Sequence, residues 1–151
     1  MSRRIGWRAL RAVRTFSPVT ESFVTTGWDP ASSALADLLA RTARGPRREG
    51  VYALWLTVRV VQDLLLDPPQ PERAQRRRLA ALEQRLSSLT VPPPLRRALA
   101  GAFTQLASAE PASAPVILSQ LVAPARETAG AEAGEAVALA AKGARQVLGR
   151  R

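Results

Sequence analysis

Five arginines and one tryptophan fall within the first fourteen residues: Arg3, Arg4, Trp7, Arg8, Arg11 and Arg14, with no acidic residue before Glu21. At 100° per residue, Ile5, Ala9, Leu10, Ala12, Val13 and Phe16 gather on one arc of a helix, and the arginines with Trp7 gather on the other. Arg3 and Arg11 stand one turn to either side of Trp7, a spacing that lets both guanidinium groups stack on the indole. The chemistry of such a set is recognition: guanidinium groups hold phosphates or carboxylates, and an exposed indole anchors an interface. The competing reading packs Trp7 on the protein's own body and leaves the arginines solvated.

A second basic set, Arg73, Arg76, Arg77 and Arg78, stands at the start of a later helix, and Arg96 and Arg97 stand at the start of the next. Arg73 and Arg77 are like charges one turn apart, and positive charge near a helix N-terminus opposes the helix dipole. Two helix starts that both break this rule point to a basic surface facing an anionic partner. Solvated arginine is the alternative for each position taken alone.

Catalytic chemistry is much narrower. The chain has no Cys and no His, which removes disulfides, thiolate nucleophiles, cysteine zinc sites, imidazole bases and every Ser-His triad. Catalysis would fall to Asp, Glu, Ser, Thr, Tyr52 or the single lysine, Lys142. No carboxylates recur at metal-ligand spacing, and Glu132 with Glu135 suits the first turn of a helix, where negative charge complements the dipole. Gly130, Gly134, Gly143 and Gly149 are isolated in alanine-rich sequence and make no phosphate loop. Arg47 and Arg48 read as a loop charge pair in preference to a phosphate site. The expectation is a protein that is not an enzyme, with no metal, cofactor or small-molecule substrate.

The 151 residues carry 22 Lys+Arg against 12 Asp+Glu, for a formal net charge of +10. Twenty-one of the basic residues are Arg, Ala is abundant and Asn is absent, the composition of a GC-rich genome. Codon bias explains Arg over Lys. It does not explain basic over acidic, so the excess requires a physical account, and an anionic partner is the usual one. The charge lies mainly in the first two thirds of the chain.

Proline and glycine cut the sequence into helical pieces that must position these groups. A first helix is predicted over 3–16, then an extended connector over 17–29 that carries Phe23 and Trp28 and resembles an arm lying along another surface. The alternative is that its aromatics cover the protein's own core. Asp29-Pro30 predicts a helix start with an N-cap and a proline at the first position. Further helices are expected over 30–44, 48–66, 71–89, 94–109, 114–129 with a bend at Pro124, and 132–148. Val51, Leu54, Val58, Val61 and Leu65 form one face of the second of these, widened by Thr57, Val60 and Leu64, as suits a central helix. Leu79, Leu82, Leu86 and Leu89 form a narrow seam. Leu95, Leu99, Phe103 and Leu106 form the next face, and Val137, Ala140, Ala144, Val147 and Leu148 the last. Arg59 and Asp63 are spaced to pair at i, i+4.

The expected fold is all-α: a compact bundle of about six helices in three consecutive helical hairpins, residues 30–151, preceded by a basic amphipathic helix and extended arm, residues 1–29. Repeats of about 40 residues also suit a short solenoid, but no motif is shared between them and the bundle is preferred. No apolar stretch is long enough for a membrane span, and the charged N-terminus does not resemble a secretory signal. A cytoplasmic location, or the cytoplasmic side of a membrane, is expected. The Arg-rich start also suits organelle import, and we expect it to be kept in the mature chain. The function these features favour is a non-catalytic accessory subunit or adaptor in a larger protein complex. Nucleic-acid binding through the same surfaces, and attachment to an anionic membrane by residues 3–16, are the alternatives.

Overall fold

The structure, a computed structural model, describes residues 28–65, 70–108 and 110–150. The predicted helix over 3–16 and the connector as far as residue 27 lie outside the described residues. Seven α-helices follow: α1 (Trp28–Arg41), α2 (Pro46–Leu64), α3 (Glu72–Ser87), α4 (Pro93–Ser108), α5 (Ala114–Gln120), α6 (Val122–Ala129) and α7 (Ala131–Gly149), with a 3-10 turn at Pro111–Ser113. No strand occurs among the described residues. The fold is all-α.

Helices α5 and α6 are two halves of the helix expected over 114–129. The break falls at Leu121, three residues before Pro124. Proline has no amide hydrogen for the carbonyl four residues back, Gln120, and its ring crowds that carbonyl, so the distortion appears one turn upstream of the proline itself. Helical phase survives the break, because Ala125 N–H still donates to the Leu121 carbonyl at 2.9 Å.

At the start of α1 the sequence expectation needs correction. The helix begins at Trp28, so Trp28 and Asp29 belong to its first turn and not to an extended arm. Pro30 is compatible with this, since amides in the first helical turn have no intrahelical acceptor.

Five residues on the predicted α2 face, Val51, Leu54, Val58, Val61 and Leu65, are buried, as are Thr57, Val60 and Leu64. Ala53, Trp55 and Gln62 are buried too, so α2 is enclosed on more sides than its apolar arc suggested. It packs against α1, α3, α6 and α7. Buried Thr57 satisfies its hydroxyl by donating to the Ala53 carbonyl at 2.8 Å. The Leu79–Leu82–Leu86 seam and Leu95, Leu99 and Phe103 are buried as expected, with Leu89 and Leu106 half-buried.

Each of the three expected hairpins is present: α1 on α2, α3 on α4, and α5–α6 on α7. Helix α7 also packs against α1, and α6 against α2. In a solenoid each repeat touches only its sequence neighbours, so contact between the first and last described helices makes this a closed bundle. Alanine and glycine along α7 (Ala133, Gly134, Ala136, Ala140, Ala141, Gly143, Ala144) are buried and give its neighbours close approach.

Candidate interaction surface

The arginines of the described residues divide into two sets by what they touch. One set is spent inside the bundle. Arg47, in the first turn of α2, donates from Nε to the Ala129 carbonyl at the end of α6, at 3.2 Å. Arg48 donates from Nε to the Leu39 carbonyl near the end of α1, also at 3.2 Å. Both carbonyls lie in last helical turns, where the dipole favours a cation; the Leu39 carbonyl also accepts from the Thr42 N–H at 3.4 Å. Arg41 at the end of α1 donates to Glu132 Oε2 in the first turn of α7 at 2.7 Å. The hydrogen bond, and then the attraction between the charges, holds the Glu132 carboxyl below the usual carboxylate range and raises Arg41. Arg47 and Arg48 are therefore helix clamps and not a loop charge pair.

Gly130 completes that junction. Its φ of 101° and ψ of 168° reverse the chain between α6 and α7, in a backbone region that is nearly glycine-only. A Cβ at this position would stand 2.8 Å from Arg47 Nη2. Gly130 thus supplies both the turn and the space through which Arg47 reaches Ala129.

Helix α3 is tied to α2 by two further arginines. Arg78 pairs with Asp63. Arg85 donates to the Tyr52 hydroxyl at 3.0 Å and lies over its ring, 5.8 Å from the centroid. Tyr52 in turn stacks on Trp55 with centroids 6.1 Å apart. Trp55 is only 3% exposed, and its indole N–H meets no acceptor among the described residues. Its burial removes it as a stacking surface for an outside ligand. Arg59, expected to pair with Asp63, donates to Gln62 Oε1 at 2.8 Å.

The second set lies on the α3–α4 hairpin. Residues 70–108 hold seven arginines against Glu72 and Glu83 alone. The other described residues are close to neutral, with nine basic and eight acidic side chains. Within the hairpin, Arg76 pairs with Glu72 at 2.6 Å, and Arg96 donates back to the Val91 carbonyl at 3.1 Å. Arg73, Arg77 and Arg97 are exposed and form no ion pair with a described residue.

The two basic helix starts do not merge into one patch, as their closeness in sequence suggested. The turn over 88–92 sets the start of α4 beside the end of α3, and α3 has 16 residues, about 24 Å of helix. Arg73, Arg76 and Arg77 occupy one end of the hairpin and Arg96 and Arg97 the other. Glu72 also gives the first turn of α3 the negative charge that its dipole favours. At the α4 end the two helices and the turn between them line an open groove of about 520 Å³. Leu86, Val91, Leu99 and Phe103 make its floor, and Glu83, Ser87, Arg96, Ala100 and Thr104 its walls.

Of the residues singled out from the sequence, Arg3, Arg4, Trp7, Arg8, Arg11, Arg14 and Phe23 lie outside the described residues. Trp28 heads α1. Arg73, Arg76, Arg77, Arg96 and Arg97 are exposed on the hairpin. Sequence reasoning missed the groove, whose lining comes from two helices and the turn between them. Its one legible sign is the alignment of Arg96, Ala100, Phe103 and Thr104 beside the buried face of α4. No group of three Asp or Glu residues among the described residues could hold a metal ion, and no helix among them is long and apolar enough to cross a membrane. No family model matches the chain, and neither the curated proteins nor the solved structures contain a match.

Proposed function

We propose that this chain is a non-catalytic helical interaction protein, an accessory subunit or adaptor that docks to a partner protein through the α3–α4 hairpin. The observation that carries this reading is the segregation of charge: the hairpin is strongly basic while the rest of the described bundle is nearly balanced. Codon bias would spread arginine without regard to acidic neighbours. A local excess on the surface, with Arg73, Arg77 and Arg97 making no ion pair to a described residue, is a source of steering and recognition. The N-terminal arginines and Trp7 supply a further basic set in sequence and a second point of attachment.

The test is affinity isolation of the tagged full-length chain from its native cells, in parallel with a variant carrying Arg73→Glu, Arg77→Glu and Arg97→Glu. A protein retained in fixed stoichiometry by the native chain and lost by the variant supports the proposal. Trp7→Ala should weaken retention while leaving the melting temperature nearly unchanged. A monomer of native mass that retains nothing overturns the reading. So does nucleic-acid binding that falls steeply with salt, the mark of several phosphate contacts, or flotation with anionic liposomes that requires residues 3–16.

A further inference from the structure

The groove at the α4 end of the hairpin combines two features that seldom serve the same ligand unless it is a peptide. Its floor is apolar, built from Leu86, Leu99 and Phe103. One wall carries Arg96, and Arg97 follows it, exposed, at the outer edge. Arg96 Nη2 is fixed by the Val91 carbonyl at 3.1 Å, which holds the side chain in place while its remaining donors stay open. Glu83 stands on the α3 wall, so the groove has a basic side and an acidic side.

From this we infer that the α3–α4 groove is the docking site for an amphipathic helix of a partner protein whose carboxylates face Arg96 and Arg97. This deepens the adaptor reading and rests on it. Apolar side chains at i, i+3 and i+4 of such a helix meet the floor, the usual helix-in-groove arrangement. Acidic residues on one flank meet Arg96 and Arg97. Glu83 on the opposite wall disfavours acid there and fixes the direction in which the helix lies, because a like-charge juxtaposition discriminates against the reversed partner. A nucleic acid fits this site less well. The hairpin's only aromatic ring, Phe103, is 5% exposed and gives no platform for bases, on which single-strand binding relies.

The experiment uses the full-length chain and a fluorescent synthetic helix of about five turns, with leucines on one face, glutamates on one flank and glutamines on the other. Its scrambled counterpart has the same composition but no apolar face. The amphipathic peptide should bind at least about tenfold more tightly than the scrambled one. Ala100→Glu places a carboxylate in the groove and should abolish that preference. Ala100→Gln, which fills the same space without charge, should weaken it and guards against a fold defect in the first variant, with helicity followed by circular dichroism. Arg97→Glu should weaken binding. Equal binding of the two peptides, or indifference to both Ala100 variants, overturns the groove assignment. It leaves the adaptor proposal standing if the arginine reversals still release the native partner. Displacement of the peptide by oligothymidylate, with tighter binding of the oligonucleotide, overturns both.

Discussion

The α6–α7 junction and the α3–α4 hairpin use the same side chain for opposite purposes. At the junction, Arg47 reaches a helix-terminal carbonyl and Arg41 reaches Glu132, while Arg48 does the same for the end of α1. On the hairpin, Arg73, Arg77 and Arg97 are left in solvent although two glutamates lie in the same segment. Arginine suits both tasks, because it is permanently charged and presents a rigid fork of donors. What distinguishes the regions is the supply of acceptors. Helix ends packed against one another offer orphan carbonyls, and an exposed helix flank offers none. A basic side chain is therefore informative about function only after the carbonyls and carboxylates within its reach have been located.

The sharpest way to break this contrast is at Gly130. Gly130→Ala forces a Cβ into a glycine-only backbone region and against Arg47 Nη2. The expected loss is about 3 kcal/mol, which lowers the melting temperature by roughly 6–12 °C. Gly45, between α1 and α2, is the internal control. Its φ of 140° is equally unfavourable for an L side chain, but a Cβ there meets nothing within 4 Å. Gly45→Ala should cost only the backbone strain, about 1–2 kcal/mol. Equal losses at the two glycines would show that the exposed Arg47 guanidinium swings aside at little cost and that only the backbone strain counts.

Removal of the clamp itself comes next. Arg47→Ala leaves the Ala129 carbonyl without its donor and should destabilise by about 1 kcal/mol, measured by urea titration. Because Arg47 is exposed, water takes over part of the bond, which keeps the loss small. The double variant Arg47→Ala with Gly130→Ala should be less unstable than the sum of the singles, since the collision is gone. On the hairpin the same truncation should have almost no effect on folding. Arg73→Ala with Arg77→Ala should stay within about 0.5 kcal/mol of the native chain. A slight gain is in order, because one like-charge i, i+4 contact is removed. A large loss would place these arginines among the structural clamps and remove the basis for the docking surface.

The bundle was largely legible from the sequence because helix faces are local. The period of Val51, Leu54, Val58, Val61 and Leu65 names the core side of α2, and Pro124 announces the bend. Contacts between distant helices carry no comparable signature. Nothing in the sequence near Arg47 reveals that Ala129, 82 residues away, will present its carbonyl. The i, i+4 spacing pairs Asp63 with Arg59, and nothing in it announces that Arg78 from another helix reaches Asp63. The groove was hidden for the same reason. Its lining is drawn from α3, α4 and the turn between them, and neither helix's own pattern states how the two will pack. The sequence singles out Arg96 and Arg97 by their place at a helix start, but not their separation from Arg73 and Arg77.

The weakest effect tests the clamp set at its outermost member. Arg41 and Glu132 are both mostly exposed, so their pair is screened by solvent and contributes little compared with Arg47 or Gly130. Its sign is nevertheless definite. The Glu132 carboxyl is held below its ordinary value of 4.5 by the hydrogen bond from Arg41. A group whose acidity rises on folding binds fewer protons when folded, so its contribution is present above about pH 4.5 and is lost as pH falls through the lower folded value. Glu132→Gln should accordingly show a slightly lower melting temperature than the native chain at neutral pH, and the two should converge in acid. Added salt should also narrow the gap, since the screening length falls to about 3 Å at 1 M. Arg77 has no such acidic partner among the described residues, so Arg77→Ala should show no convergence with the native chain through the same acid range. If Arg77→Ala follows the Glu132→Gln profile instead, Arg77 has a carboxylate partner and belongs with the clamps.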